Sequence, residues 1–198
     1  MMITHQDEHR TLKKPYSIAT TNKQLQEEKL IGFIVKKTSE NGMSAFLTTQ
    51  CDYTVTLTWP VGHYKNTNIS GQYLFVSTWS GLSPNVGILK SLLEHHSPQQ
   101  RIVFLYGEKH IDNLLPDMRS RAEEMIPWLT THVYLSRQLD APSYYKTGYV
   151  QDGLTEAIAT LGTNTACFIC WLPEMVQDVQ QRLMLLGVPK ENITIEKY

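Results

Sequence analysis

The chain has 198 residues, of which 41% are hydrophobic and 19% are charged, and its formal net charge at pH 7 is −1. This length and composition are sufficient for one well-buried core and a small second module. The near-neutral charge without a basic stripe argues against nucleic acid as a main partner, and the apolar runs are too short for membrane insertion.

The N-terminal residues and the cysteines indicate a reducing compartment. The first ten residues are polar and contain no apolar signal core, so we expect a cytoplasmic location. Three cysteines do not suggest a disulfide framework. Cys167 and Cys170 form a Cys-x-x-Cys pair without a second pair, and the histidines show no ligand spacing, so no metal site is predicted.

Residues 1–70 have the pattern of a small antiparallel β module. Strands are predicted at Tyr16–Thr20, Leu30–Lys37 and Thr54–Thr58, with a short helical segment at Ser44–Thr48 and turn signals between them. Three strands are few for a closed barrel, so the module is predicted to be a partial barrel. We expect a protein partner or a second copy of the chain to cover its exposed strand edge.

From residue 71 onwards, short β-rich runs alternate with helical patterns. This alternation predicts an α/β domain with a five-stranded parallel sheet and helices on both faces. Ligands of such sheets bind at the carboxyl ends of the strands. The predicted strands and helices, in chain order, are Tyr73–Ser77, Asn85–His96, Arg101–Tyr106, Asp117–Met125, His132–Ser136, Val150–Thr160, Ala166–Cys170, Glu174–Leu186 and Asn192–Glu196.

The segment Tyr73–Pro84 is the most informative part of the chain. An apolar run leads into a turn of small residues at the start of a helix, and parallel α/β sheets use this arrangement to hold the pyrophosphate of a dinucleotide. Thr78, Ser80 and Gly81 are small enough for a ligand to approach the backbone. Trp79 lies among them and takes up space that a ligand would need.

The order of motifs resembles the ferredoxin–NADP reductase superfamily, in which a flavin-binding barrel precedes an NAD(P)-binding α/β domain. The similar segments are Lys13–Thr20, Asn41–Leu47, Trp59–Tyr64, Tyr73–Pro84, Cys167–Val176 and Leu185–Tyr198. The resemblance implies a partial flavin-binding-type barrel over residues 1–70 and an NAD(P)-binding-type domain over residues 71–198. It also implies FAD and NAD(P)H as the cofactors.

The resemblance further implies which residues bind the cofactors. The residues implied for FAD are Lys14, Tyr16, Ser17, Gly42, Ser44 and Tyr198. The residues implied for NAD(P)H are Thr78, Ser80, Gly81, Ser136 and Arg137, with the last two at the adenosine 2′-phosphate. Cys170 matches the family's cysteine near the nicotinamide and is the catalytic candidate. Ordinary structural roles remain open for these residues: a core cysteine, a buried tyrosine, a helix cap, a solvated arginine and an exposed chain end.

The chain departs from the family pattern at four glycine positions, which carry Cys51, Trp59, Trp79 and Trp171. Glycine permits close approach of a cofactor or a positive φ angle. A tryptophan side chain instead buries on the order of 200 Å². Because Trp79 and Trp171 both follow strands of the parallel sheet, we expect them to lie together and to obstruct the nucleotide pocket.

Two functions remain open at this point. The glycine losses and the shortened barrel favour a degenerate reductase-like protein that acts as a non-catalytic binding or interaction module. The motif order favours a flavin-dependent oxidoreductase that transfers electrons between NAD(P)H and an acceptor.

Overall fold

The computed structural model describes residues 1–58, 62–65, 71–95, 97–115, 118 and 129–197. The predicted helix Asp117–Met125, apart from Met118, lies outside these ranges, as do Trp59 and Tyr198. Within the described ranges, every helix is too short or too polar to cross a lipid bilayer.

A three-stranded antiparallel sheet opens the chain. It consists of β1 (Met2–Gln6), β2 (Thr11–Pro15) and β3 (Thr56–Leu57) in the order β2-β1-β3. The carboxylate of Asp7 accepts two backbone N–H bonds of 2.8 and 2.9 Å within the β1–β2 turn, and these bonds lower its pKa. The first two strands were missed in the sequence because their residues are mostly polar and only one of the ten, Ile3, is buried.

Two short helices accompany this sheet. The first, α1 (Asn22–Glu27), begins with a capping box in which the Thr21 hydroxyl accepts from the Gln24 N–H and the Gln24 side chain accepts from the Thr21 N–H. The second, α2 (Met43–Thr49), confirms the predicted helical segment. Gly42 caps its N-terminus with extended backbone.

The antiparallel strand predictions were largely wrong. The segments Tyr16–Thr20 and Leu30–Lys37 are not strands, and a single bridge between Ile18 and Phe33 joins them. The predicted strand at Thr54–Thr58 is reduced to the two residues of β3.

The α/β domain contains six parallel strands, one more than predicted. Their order is β7-β6-β5-β4-β8-β9. The additional strand is β7, three residues long, which pairs with the end of β6. The bounds are β4 (Gln72–Thr78), β5 (Arg101–Glu108), β6 (Leu129–Leu135), β7 (Tyr145–Thr147), β8 (Ala166–Trp171) and β9 (Ile193–Lys197).

Helices cover both faces of this sheet, as predicted. On one face lies α3 (Leu82–Glu94), and on the other lie α4 (Leu154–Leu161) and α5 (Pro173–Leu185). Residues of β4 and β5 alternate between two hydrophobic clusters, and the central strands therefore read as nearly continuous apolar runs. The first turn of α4 is preceded by a one-turn 3₁₀ helix, Val150–Gly153.

The N-terminal segments pack against α3 through its first turns. The Ser83 hydroxyl donates to the Ser17 carbonyl at 2.6 Å and accepts the Ile34 N–H at 3.2 Å. A Cβ atom on Gly87 would lie 2.9 Å from the Ile18 carbonyl oxygen, so the backbone approaches the helix closely there. The Ser17 carbonyl and the Ile34 N–H, which lie in segments predicted as strands, thus bond to α3 and not to a neighbouring strand.

A buried polar network fixes β4, α3 and β8 to one another. Asn85 is 0% exposed, and its Nδ2 donates to the Ser77 hydroxyl at 2.6 Å and to the carbonyls of Val76 and Phe168. Its Oδ1 accepts from the Tyr64 hydroxyl. One amide side chain thus satisfies groups on two strands that flank the nucleotide-type turn.

We expect Asn85→Ala to lower the free energy of unfolding by about 1–3 kcal/mol, because it leaves buried partners unsatisfied. The matched control is Asn113→Ala at an exposed position, where the change should be within about 0.5 kcal/mol. Urea denaturation measures both values. Equal stability of the two variants would show that the network does not hold these elements together.

Candidate functional site

The site is built around the turn that follows β4. After Thr78, a one-turn 3₁₀ helix, Trp79–Gly81, runs directly into α3. A Cβ atom on Gly81 would lie 2.5 Å from the Cys170 carbonyl oxygen, so only glycine fits there. This close approach presses the turn against the end of β8 and brings Trp79 beside Trp171.

Trp79 and Trp171, here called the tryptophan pair, stack with ring centroids 6.2 Å apart and ring planes 29° apart. Both residues have positive φ angles, +52° for Trp79 and +144° for Trp171. Such angles suit glycine and cost of order 1–3 kcal/mol for a residue with a side chain. The backbone therefore keeps the glycine conformation of the resembled motifs while carrying two indole rings.

Two lysines lie against the ring of Trp79. The Nζ of Lys36 is 3.8 Å from the ring centroid, and the Nζ of Lys109 is 4.6 Å from it. Both contacts are favourable cation–π interactions. Because Lys36 comes from the N-terminal module, it also ties that module to the carboxyl edge of the sheet.

Glu108 is the acidic partner of this cluster, and its side chain is 1% exposed. Its Oε1 lies 3.4 Å from the Lys36 Nζ and accepts from the Tyr106 hydroxyl at 3.1 Å. Its Oε2 accepts the Lys109 N–H at 3.3 Å. Burial, followed by the proximity of Glu108, raises the pKa of Tyr106, which therefore remains a protonated donor.

The larger cavity at this edge, here called the cleft, has a volume of about 320 Å³. A Cβ atom on Gly107 would lie 2.9 Å from Thr78 and Val150 side-chain atoms, so glycine is required in its wall. The Oε1 of Gln151 is buried and has no hydrogen-bond partner among the described residues. The cleft is lined by residues that end or follow five strands, among them Thr78, Trp79, Gly107, Glu108, Lys109, Ser136, Gly148, Tyr149, Gln151, Trp171, Leu172 and Met175.

A second cavity, here called the crevice, lies between the N-terminal module and the sheet edge and has a volume of about 90 Å³. Five of the residues predicted to bind cofactors line it: Lys14, Tyr16, Ser17, Ser44 and Ser80. The hydroxyl oxygen of Tyr16 is buried without a partner in the described part of the chain, and burial raises its pKa. Trp171 lines both the crevice and the cleft.

The remaining predicted residues are dispersed. Thr78 and Ser136 line the cleft, whereas Arg137 is exposed and lines neither cavity. Gly42 is half-buried, and its N–H donates to the Ser39 hydroxyl. Gly81 shapes the turn but is buried against β8.

Cys170, the catalytic candidate, is fully buried and lines neither cavity. Its Sγ donates to Oε2 of Glu196 at 3.9 Å, and the same oxygen accepts from the Ser17 hydroxyl at 2.9 Å. Burial, then the proximity of Glu196, raises the pKa of the Cys170 thiol, which favours its protonated form. No cluster of three metal-ligating side chains occurs among the described residues.

Sequence reasoning missed the charged residues of the site. Glu108 ends an apolar strand and Lys109 directly follows it at the carboxyl edge, and that position was a usable signal. Lys36 offered none, because it lies 72 residues from Glu108 in a segment without regular structure.

The comparison with protein families bears directly on this edge. Residues 75–181 match the family described as the oxidoreductase NAD-binding domain. The chain belongs to this family. The matched range begins within β4 and ends within α5, so it includes the tryptophan pair and the cleft, and the resemblance to the ferredoxin–NADP reductase superfamily is confirmed.

Individual relatives are electron-transfer proteins by their names. The chain is 25% identical over 177 residues to the toluate 1,2-dioxygenase electron transfer component of Pseudomonas putida. The alignment covers 88% of this chain and 52% of that protein. It is 24% identical over 187 residues to NADH-cytochrome b5 reductase 1 of Candida glabrata, and this alignment covers 89% of this chain and 65% of that protein. The chain therefore spans about half to two thirds of the length of these curated relatives.

A solved structure establishes the fold over the whole chain. The flavohem-like FAD/NAD binding domain of nitric oxide dioxygenase from Vibrio cholerae superposes with a TM-score of 0.77 at 18% identity. The superposition covers 100% of this chain and 82% of that one. The α/β class and the preceding antiparallel sheet are thus those of this fold.

We expect one of the three thiols to react rapidly with a chromogenic disulfide reagent in the native protein at pH 8, and all three after denaturation. Cys51 is exposed, whereas Cys167 and Cys170 are buried. Burial raises the pKa of Cys167 to about 12 and also raises the pKa of Cys170. The native count should fall to zero in Cys51→Ser. Rapid native labelling of Cys170 would contradict the buried position described here.

We expect Lys36→Met to lower the free energy of unfolding by about 1–3 kcal/mol, because it leaves the buried Glu108 carboxylate without its lysine. The matched control is Lys37→Met, which removes an exposed ion pair with Glu40 and should cost at most about 1 kcal/mol. A double-mutant cycle with Glu108→Gln isolates the pair. A coupling near zero would refute the contact.

Proposed function

We propose that this chain binds a nicotinamide adenine dinucleotide in the cleft and acts as a non-catalytic nucleotide-binding module of the ferredoxin–NADP reductase type. The observation that carries this proposal is the position of Trp171, which forms a wall of both cavities. Membership of the family supports the binding of the nucleotide. The position of Trp171 between the two cavities supports the absence of catalytic turnover.

The cleft has the location and the chemistry for a dinucleotide. It lies at the carboxyl edge of a parallel sheet, where ligands of such folds bind. Its volume of about 320 Å³ is within the range of small-molecule sites, which is roughly 300–1,000 Å³. Lys109 supplies a positive charge for phosphate, and the buried Gln151 oxygen supplies an acceptor for a ligand N–H group.

The crevice does not fit a flavin ring in this arrangement. Its volume of about 90 Å³ is far below that range of roughly 300–1,000 Å³. When bound to such a protein, a flavin supplies the hydride chemistry, and the protein must bring the nicotinamide into contact with it. Because Trp171 lies between the two cavities, this chain holds them apart.

A flavin-dependent oxidoreductase that passes electrons between NAD(P)H and an acceptor is the second candidate. The convergence of Lys14, Tyr16, Ser17 and Ser44 on one crevice favours it, since these residues come from two separate segments and match a flavin site. FAD would then be held by these residues after displacement of Trp171. The names of the relatives support the same class of electron transfer.

We also propose that a protein partner or a second copy of the chain extends the small antiparallel sheet. The outer strands β2 and β3 have β1 as their one strand partner among the described residues. Unpaired backbone groups of outer strands favour such additions. The cytoplasm remains the proposed location.

We expect NADPH or NADH to bind the unaltered protein, and Lys109→Met to weaken the binding about fivefold to tenfold through loss of a phosphate contact. The matched control is Lys190→Met, an exposed lysine outside both cavities, which should leave the affinity unchanged. Isothermal titration calorimetry measures all three proteins. The proposal fails if neither nucleotide binds, or if both variants bind like the unaltered chain.

We expect the purified chain to contain no stoichiometric flavin and to show no NADPH-dependent reduction of a one-electron dye. The reason is the small volume of the crevice and the wall formed by Trp171. The visible absorbance spectrum measures bound flavin. A dye-reduction assay with NADPH, run with and without added FAD, measures the activity. A yellow protein with dye-reductase activity would favour the second candidate instead.

A further inference from the structure

We infer that the cleft recognises the adenosine diphosphate half of its nucleotide and excludes the nicotinamide ring, with Trp171 as the residue that sets this specificity. The inference rests on the proposed function, because it names the part of the ligand that the same cleft takes. Its consequence is a protein that binds oxidised and reduced nucleotides alike.

Trp171 stands between the cleft and the crevice. Of the described residues, Trp171 alone lines both the cleft and the crevice. A ring that extended from one cavity to the other would have to occupy the position of its indole. The crevice beyond it has a volume of about 90 Å³, and Trp171 forms part of its wall, so the ring and the indole would compete for the same space.

Strand pairing and ring stacking hold Trp171 in place. Trp171 ends β8, where its backbone pairs in register with Lys197 of β9. Its ring stacks on Trp79, and Trp79 is itself held by the ammonium groups of Lys36 and Lys109. Moving the indole would therefore break the stacking and disturb both cation–π contacts, so the wall is part of the packed edge.

The cleft offers contacts for an adenosine and a phosphate. Its volume of about 320 Å³ is at the lower end of the range of roughly 300–1,000 Å³, which favours half of a dinucleotide over the whole molecule. The ring of Tyr149 is 64% exposed on its wall and can stack on a purine. Gln151 can accept from the exocyclic amine, and Lys109 can contact a phosphate.

The test compares whole dinucleotides with their adenosine halves by isothermal titration calorimetry on the full chain. One series uses NADPH, NADP⁺ and 2′-phosphoadenosine 5′-diphosphate, and the other uses NADH, NAD⁺ and ADP. For the series that binds, the three dissociation constants should agree within about threefold, since the nicotinamide half adds no contact.

Trp171→Gly supplies the second part of the test. Glycine suits the φ angle of +144° and removes the wall, so both dinucleotides should gain about tenfold or more in affinity over the adenosine half. The matched control is Leu185→Ala, at an exposed position outside both cavities, for which the ratio should stay near one.

The outcomes separate this inference from the proposed function. Binding of NADPH or NADH by the unaltered protein about tenfold more tightly than the matching adenosine half would overturn the inference and leave the proposed function standing. An unchanged ratio in a folded Trp171→Gly variant would overturn the role of Trp171. Failure of every nucleotide to bind would overturn both.

Discussion

The contact between Gly81 and the end of β8 is the constraint on which the site depends. A side chain at Gly81 would collide with the Cys170 carbonyl oxygen, so the turn after β4 and the last residues of β8 lie directly against each other. That approach places Trp79 on Trp171 and makes Trp171 the wall between the cleft and the crevice. The Asn85 network holds the same two strands from beneath.

The tryptophan pair shows how a glycine-type turn can keep its backbone and change its chemistry. Both residues retain left-handed backbone, at a cost of order 1–3 kcal/mol each. Stacking between the rings and two lysines against Trp79 offset part of that cost. The carboxyl edge of the sheet thereby keeps the turn backbone of the family, while the indole ring of Trp171 occupies the space between the cleft and the crevice.

The sequence predicts what depends on local pattern and misses what depends on distant packing. The strands β4, β5 and β8 were predicted because they are buried on both faces, and the meeting of Trp79 with Trp171 followed from their positions after parallel strands. The strands β1 and β2 are mostly polar with Ile3 as their one buried residue, and β7 is three residues long, so none has a strong pattern. The contact of Lys36 with Glu108 joins two modules and has no local signature.

Hydrogen–deuterium exchange of the unaltered chain with and without saturating NADP⁺ tests the central claim most directly, because it locates the ligand without a substitution. A ligand confined to the cleft should slow exchange at residues 78–81, 107–109 and 149–153, which form or adjoin its wall. Exchange at residues 14–17 and 43–49, around the crevice, should not change. Protection at Tyr16 and Ser17 equal to that at the cleft would contradict the account, since the nucleotide would then have passed Trp171.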